Sequence, residues 1–201
     1  MRKKKNKAIR FPSILAGLLL IIFAFVFSLR SLSTSAWTEE PLAQENTDLT
    51  KDEFIERLLP HAKEIQEGYG VLPSITIGQA ILESNWGKSQ LSSDYNNLYG
   101  IKAYGNQEKI TLNTQEYVNE QWITIDGDFR VYDSWEASMD DHAMLFVNGV
   151  DWSPEKYQKV LTATNYKEAA EALQEAGYAT DPTYAQKVKS VIETYQLDQY
   201  D

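Results

Sequence analysis

The chain has 201 residues, enough for one ordinary domain and an appendage, with a formal net charge of −10 and no cysteine. Its two histidines, His61 and His142, lie far apart, so no zinc or haem constellation, no disulfide framework and little basis for Ser/His/Asp or Cys/His catalysis can be assembled. What is left is carboxylate chemistry, with no metal and no cofactor expected.

In chain order, Arg2, Lys3, Lys4, Lys5, Lys7 and Arg10 come first, then 19 uncharged residues from Phe11 to Leu29, closed by Arg30. A basic flank before an apolar run directs export with the N-terminus inside, and this run is long enough to cross a bilayer as a helix. Residues 1–30 are therefore expected to form a cytoplasmic flank and a transmembrane anchor. Thr34-Ser35-Ala36 is a passable cleavage site, so a cleaved signal and secretion are the alternative. The part from Trp37 onward carries 12 basic and 29 acidic residues, a formal charge of −17. That charge repels phosphates, which excludes nucleic acid as a partner, and it gives no electrostatic hold on an anionic surface. A monomer on the extracytoplasmic face is expected.

Residues 31–49 read as a polar linker, and the domain is expected over residues 50–198. Thr50 and Glu53 form a capping box before Phe54, Ile55, Leu58, Leu59, Ala62 and Ile65 at helical spacing, with Gly68 as the stop. Pro60 should kink or split that helix. Ser74 can cap a second helix running to about Trp86 and ended by Gly87, with Ile77, Ala80 and Ile81 on one face. From Ile110 to Tyr132 the period changes to two. Three short strands are expected, Gln115 to Val118, Gln121 to Ile125 and Phe129 to Tyr132, with turns at Asn119-Glu120 and Asp126-Gly127. Helices return with Ser134 as a cap over Ala137, Ala143, Leu145 and Phe146, then Ser153-Pro154, Asn165 and Asp181-Pro182 as further starts. The fold class is α+β: a mostly helical body with a small antiparallel hairpin lobe.

Within that frame Glu83 is the candidate acid. It is the lone carboxylate of an apolar helix, forming with Gln79, four residues earlier, a narrow polar stripe. Desolvation favours the protonated form of such a group, which is what a general acid needs near neutral pH. Hydrolysis of a glycosidic bond also needs a second group to activate water or stabilise the cationic transition state. Glu116, in the first hairpin strand, is the candidate, because a hairpin lobe over a helical body would put it across a cleft. Glu120, Asp126, Asp128 and Asp133 fall at turns or caps. Trp86, Tyr95, Tyr99, Tyr104, Trp122, Trp135 and Tyr178 cluster around these motifs; flat rings stack on sugars but also fill cores. Tyr178, after a helix-ending glycine, is the aromatic best suited to a groove.

The blocks ILESNWGKS, NLYGIKAY, TQEY, FRVYDSWEAS and GYATDPTYAQKV, in this order, resemble the glucosaminidase family of bacterial peptidoglycan hydrolases, glycoside hydrolase family 73. The resemblance spans about Thr50 to Leu197. It implies a lysozyme-like fold with a cleft under the β-lobe, and endo-cleavage of the β-1,4 bond between N-acetylglucosamine and N-acetylmuramic acid in wall glycan strands. It implies Glu83 as general acid, Glu116 as second carboxylate, and Tyr178, or its rival Tyr184, near the substrate; Tyr99, Trp86 and Asn97 complete the expected binding set. Many members carry Gly where this chain has Asn85, and many carry wall-binding repeats not seen here, so attachment is expected through the N-terminal segment or the cleft. Retaining, inverting and acetamido-assisted routes all fit the residues. A lytic transglycosylase or muramidase, or an inactive wall-binding protein, are the competing readings.

Overall fold

The computed structural model describes residues 49–118 and 121–201, and within the hairpin the side chains of residues 115–118 and 121–123 are not described. The expected membrane segment lies outside the described residues, as does the expected turn at Asn119-Glu120. Among the described residues no helix is long and apolar enough to cross a membrane.

The body is helical. α1 (Lys51–Tyr69) starts on the expected capping box: the Thr50 hydroxyl accepts from the Glu53 amide, and the Glu53 carboxylate accepts from Thr50 N at 2.8 Å. Phe54, Ile55, Leu58, Ala62 and Ile65 form its buried stripe. The helix passes unbroken through Pro60. That residue and Glu56, whose carbonyl loses its helical donor, are both exposed, so water can take the missing bond. The stop is Gly70 in the left-handed conformation, two residues beyond the expected Gly68.

α2 (Pro73–Ser84) is the centre of the molecule. Ten of its twelve residues are buried, among them Ile75, Ile77 and Ile81, each contributing about 2 kcal/mol of apolar burial. Ser74 does not cap it. Leu72 occupies the cap position with Pro73 at the first turn, and the carboxylate of Asp201 accepts from Ser74 N at 2.8 Å and from Ser74 Oγ at 2.7 Å. The far end of the chain thus supplies the acceptor that the helix N-terminus needs. A short α3 (Gln90–Tyr95), capped by Ser89, follows where no helix was expected.

The sheet is a single hairpin, β1 (Lys109–Val118) paired antiparallel with β2 (Gln121–Arg130). The expected turn at Asp126-Gly127 is absent. Those residues face Asn113 and Leu112 in mid-strand. A Cβ at Gly127 would lie 2.6 Å from the movable end of Lys102 and 3.1 Å from both Phe129 and Thr114, a tight fit rather than a turn. Tyr132, expected to end a strand, lies beyond β2, where Arg130 N is bonded to Ile101 O and Tyr132 N to Tyr95 O.

α4 (Trp135–Asn148) takes its cap from Ser134 as expected, but its buried face holds Ser138, Met139 and His142 beside Ala143 and Phe146, while Ala137 and Leu145 are half-buried. Ser153-Pro154 starts no helix, because Val150 and Ser153 exchange backbone hydrogen bonds in a tight loop. α5 (Gln158–Leu161) is a single turn. α6 (Tyr166–Glu175) is capped by Asn165, α7 (Tyr184–Tyr195) follows the Asp181 loop, and a 3₁₀ turn (Leu197–Tyr200) ends the fold. α1, α6, α7 and the 3₁₀ turn pack around α2. The result is an α+β body with the hairpin rising beside the C-terminal end of α2.

Candidate active site

α2 ends one residue after Glu83, and the way it ends shapes the site. Asn85, Trp86 and Gly87 have φ of 50°, 64° and 72°, three consecutive left-handed residues. For a bulky Trp this is a rare conformation. The turn is held by Ser84, whose hydroxyl donates to Ala80 O at 2.6 Å and accepts from Gly87 N at 2.7 Å. Gly87 has no room for a side chain: a Cβ would sit 2.7 Å from Trp135 and 3.0 Å from Phe54. The chain then reverses into α3, leaving Glu83 on the floor of a cleft of about 370 Å³. Leu91, Asn97, Leu112, Thr114 and Phe129 line the same cleft, so α3, the following loop and both hairpin strands form its walls.

Glu83 as a residue is half-buried, but its carboxyl is withdrawn from water. Oε1 accepts a hydrogen bond from the Tyr184 hydroxyl at 2.7 Å, while Oε2 is buried without a partner. Burial raises its pKa to about 8, against the lowering pull of the Tyr184 hydroxyl and the Lys187 ammonium. At neutral pH this carboxyl carries a proton, as a general acid must. With Oε1 engaged by Tyr184 and Oε2 without a partner, Oε2 is the oxygen on which a transferable proton can sit.

Behind Glu83 lies an aromatic block with no exposed surface. Tyr184 stacks on Tyr178 at 5.4 Å, the Tyr178 hydroxyl lies 3.0 Å from His142 Nε2, and His142 stacks on Tyr99 at 3.8 Å. The Tyr99 hydroxyl donates to Thr76 O at 3.2 Å. Burial lowers the His142 pKa to about 3 and pushes the phenols of Tyr178 and Tyr184 well above 10, so the block is uncharged. His142 is thus a packing residue. Tyr99, Tyr178 and Tyr184, the expected substrate-binding tyrosines, are at 0% exposure and lie beneath the cleft, and Tyr184 bonds to Glu83.

Trp86 points elsewhere. It meets Phe54 and Tyr195 edge to face, with Lys51 Nζ 4.9 Å above its ring, on the α1–α7 side of the turn. Asn97 does line the cleft, but its amide is spent on the backbone: Nδ2 donates to Ile101 O and Arg130 O, and Oδ1 accepts from Ile101 N, all at 2.9 Å. It ties the loop to the root of β2. Asp128 is bonded to Lys109 and Thr111 and held below the usual carboxylate range by them. Glu116 pairs with Ile123 in the hairpin, and its side chain lies outside the described residues. Sequence reasoning missed the link from Gln79 to Glu83 through Tyr184, although the four-residue spacing of Gln79 and Glu83 was its visible half.

Comparison with known proteins follows the same outline. Residues 59–197 match the glucosaminidase family, described as mannosyl-glycoprotein endo-beta-N-acetylglucosaminidase. The exo-glucosaminidase LytG of Bacillus subtilis is 45% identical over 184 residues, covering 91% of this chain and 65% of that protein. A probable N-acetylmuramidase of Lactococcus lactis is 38% identical over 164 residues, 80% of this chain and 37% of that protein. The chain therefore spans less than two thirds of these relatives. Among solved structures, the catalytic domain of the autolysin Auto from Listeria monocytogenes is similar with a TM-score of 0.69 and 35% identity, covering 81% of this chain and all of that domain.

Proposed function

The chain belongs to the glucosaminidase family of glycoside hydrolases, with a lysozyme-like fold, and from that premise we propose that it hydrolyses the glycan strands of peptidoglycan with Glu83 as general acid. The observation that carries this reading is the Glu83 carboxyl, desolvated, held on one side by Tyr184 and unpartnered on the other, on the floor of a cleft.

In this reading Glu83 gives its proton to the glycosidic oxygen as the bond to the anomeric carbon breaks. The bonding pair goes to the leaving oxygen, which becomes the hydroxyl of the departing sugar. Positive charge grows on the anomeric carbon and is met by Glu116, by the substrate's own acetamido oxygen, or by water, which completes the hydrolysis. Glu116 is supported by its position in a strand whose neighbouring residues, up to Thr114, line the cleft. Tyr99, Tyr178 and Asn97 act from beneath, fixing the floor on which the sugar lies, and Trp86 anchors the turn that follows the acid.

The bond cut is the β-1,4 link on the reducing side of N-acetylglucosamine, at internal positions. The Bacillus relative is named an exo-glucosaminidase and the Lactococcus one a muramidase, so the products decide. Localisation follows from the sequence: the basic flank and the uncharged run of residues 11–29 would anchor the domain at the outer face of the cytoplasmic membrane.

The test is purified residues 37–201 acting on isolated peptidoglycan, with mass spectrometry of the fragments. Long fragments ending in reducing N-acetylglucosamine support the proposal. Release of single units from strand ends would make the enzyme exo-acting, and reducing or anhydro-muramic acid ends would overturn the bond assignment. Glu83→Gln should lose at least about 100-fold in rate, and parental activity should decline above about pH 8 as Glu83 ionises.

A further inference from the structure

Gln79 stands one helical turn before Glu83 on α2, wholly buried, and the reaction described above makes no use of it. Its Nε2 donates to the Tyr184 hydroxyl oxygen at 2.9 Å, and that same hydroxyl donates to Glu83 Oε1 at 2.7 Å. Two buried oxygens on this line have no partner, Gln79 Oε1 at one end and Glu83 Oε2 at the other.

Tyr184 has one hydroxyl proton, so its direction is a choice between two neighbours. With the Gln79 nitrogen toward the phenol, the phenol oxygen acts as acceptor on that side, and its proton must go to Glu83 Oε1. A proton on Glu83 then resides on Oε2. With the amide turned over, the Gln79 oxygen would take the phenol proton. Glu83 would have to carry its own proton on Oε1 and donate it to Tyr184, where it is engaged inside the fold. The second arrangement also strands an amino group with two hydrogens in the core, where the first strands a single carbonyl oxygen.

We propose that Gln79 is a positioning residue: acting through Tyr184, it keeps the transferable proton of Glu83 on Oε2, the oxygen that no group of the fold engages. The inference rests on the reading of Glu83 as the acid. In the transfer the Oε2–H bond breaks as an O–H bond forms on the glycosidic oxygen. Glu83 is left as a carboxylate whose Oε1 still receives the Tyr184 hydrogen bond. Gln79 and Tyr184 neither gain nor lose a proton. One arrangement thus orients the acid before transfer and stabilises the carboxylate after it.

Gln79→Met keeps the length of the side chain and removes the donor. Its kcat should fall about 10-fold with KM little changed, since Gln79 and Tyr184 are both wholly buried and off the cleft lining. The alkaline limb of its pH–rate profile should move to higher pH, because a phenol no longer committed to Glu83 stabilises the carboxylate less. Gln79→Met/Tyr184→Phe should be no slower than Tyr184→Phe alone, the two acting along one line. Should Gln79→Met not fold, Gln79→Asn withdraws the donor while keeping an amide in the core and carries the same expectations. A parental kcat and pH profile in the folded variant, or losses that multiply in the double variant, would overturn the role of Gln79. Glu83→Gln run alongside keeps the two claims apart. If it is fully active, the reading of Glu83 itself falls; if it is inactive while Gln79→Met matches the parent, only the positioning role falls.

Discussion

At the scale of residues, the protonated state of the Glu83 carboxyl costs stability. Glu83 keeps its proton in the fold up to about pH 8, whereas the unfolded chain releases it near 4.5. The folded state therefore binds the extra proton between these values, and stability falls as pH rises from 4.5 to 8, then levels off. At pH 7 the deficit is about 3 kcal/mol. Glu83→Gln removes the titration but keeps the shape, so it should be more stable than the parent at pH 7, by about 2–3 kcal/mol, and equal to it near pH 4.5. Denaturant melts at the two pH values measure this; a gap that does not widen with pH would mean that Glu83 is ionised in the fold. The sequence exposed Glu83 because a lone carboxylate among Ile, Ala and Leu is conspicuous in one dimension. Its partner Tyr184, 101 residues away, is fixed only by the packing of α7 on α2 and leaves no local trace.

Elements were legible where their causes are local. Thr50, Ser134 and Asn165 each cap a helix by bonding to an amide two or three residues on, which spacing alone reveals. Where the cause is tertiary the reading failed. Gly127 looked like a turn residue, yet it pairs with Leu112 in mid-strand, packed close to Phe129 and Thr114. Ser74 looked like a cap, yet it is itself held by Asp201, 127 residues away. That contact makes α2, the helix that carries Glu83, depend on the end of the fold. Asp201→Ala should destabilise the domain by about 1 kcal/mol, and Asp201→Asn, which still accepts from the Ser74 amide, should recover much of the loss. Thermal melts of the three proteins decide; an unchanged Asp201→Ala would mean that water caps the helix equally well.

For the whole molecule, two buried groups of opposite behaviour shape the pH dependence of stability between about pH 4.5 and 8. His142 is neutral in the fold down to about pH 3 but takes up a proton near 6.5 when unfolded, so its contribution is present above 6.5 and is lost as pH falls. Glu83 works in the opposite direction over pH 8 to 4.5. Between about 6.5 and 4.5 the two should cancel, each state holding one of the two protons. Above that window His61 adds to the loss: despite partial burial, its bonds to Asp140 on α4 and Glu64 raise its pKa, and that clamp is released as pH rises through the raised value. Stability should therefore be nearly flat from pH 4.5 to 6.5 and decline above it. His142→Phe, which keeps the ring stack on Tyr99, should replace the plateau by a continued rise toward pH 4.5; a plateau that survives the substitution would show that other groups produce it. The left-handed turn after the acid carries a consequence of a different kind. Gly87 is shut in by the indole of Trp135 and the ring of Phe54, neither of which lines the cleft. In genetic terms the candidate site is larger than its chemistry. A Gly87→Ala allele would read as a catalytic lesion, and a smaller residue at Trp135 is its natural intragenic suppressor, a partial one, since it restores the space but not the backbone that only glycine adopts freely.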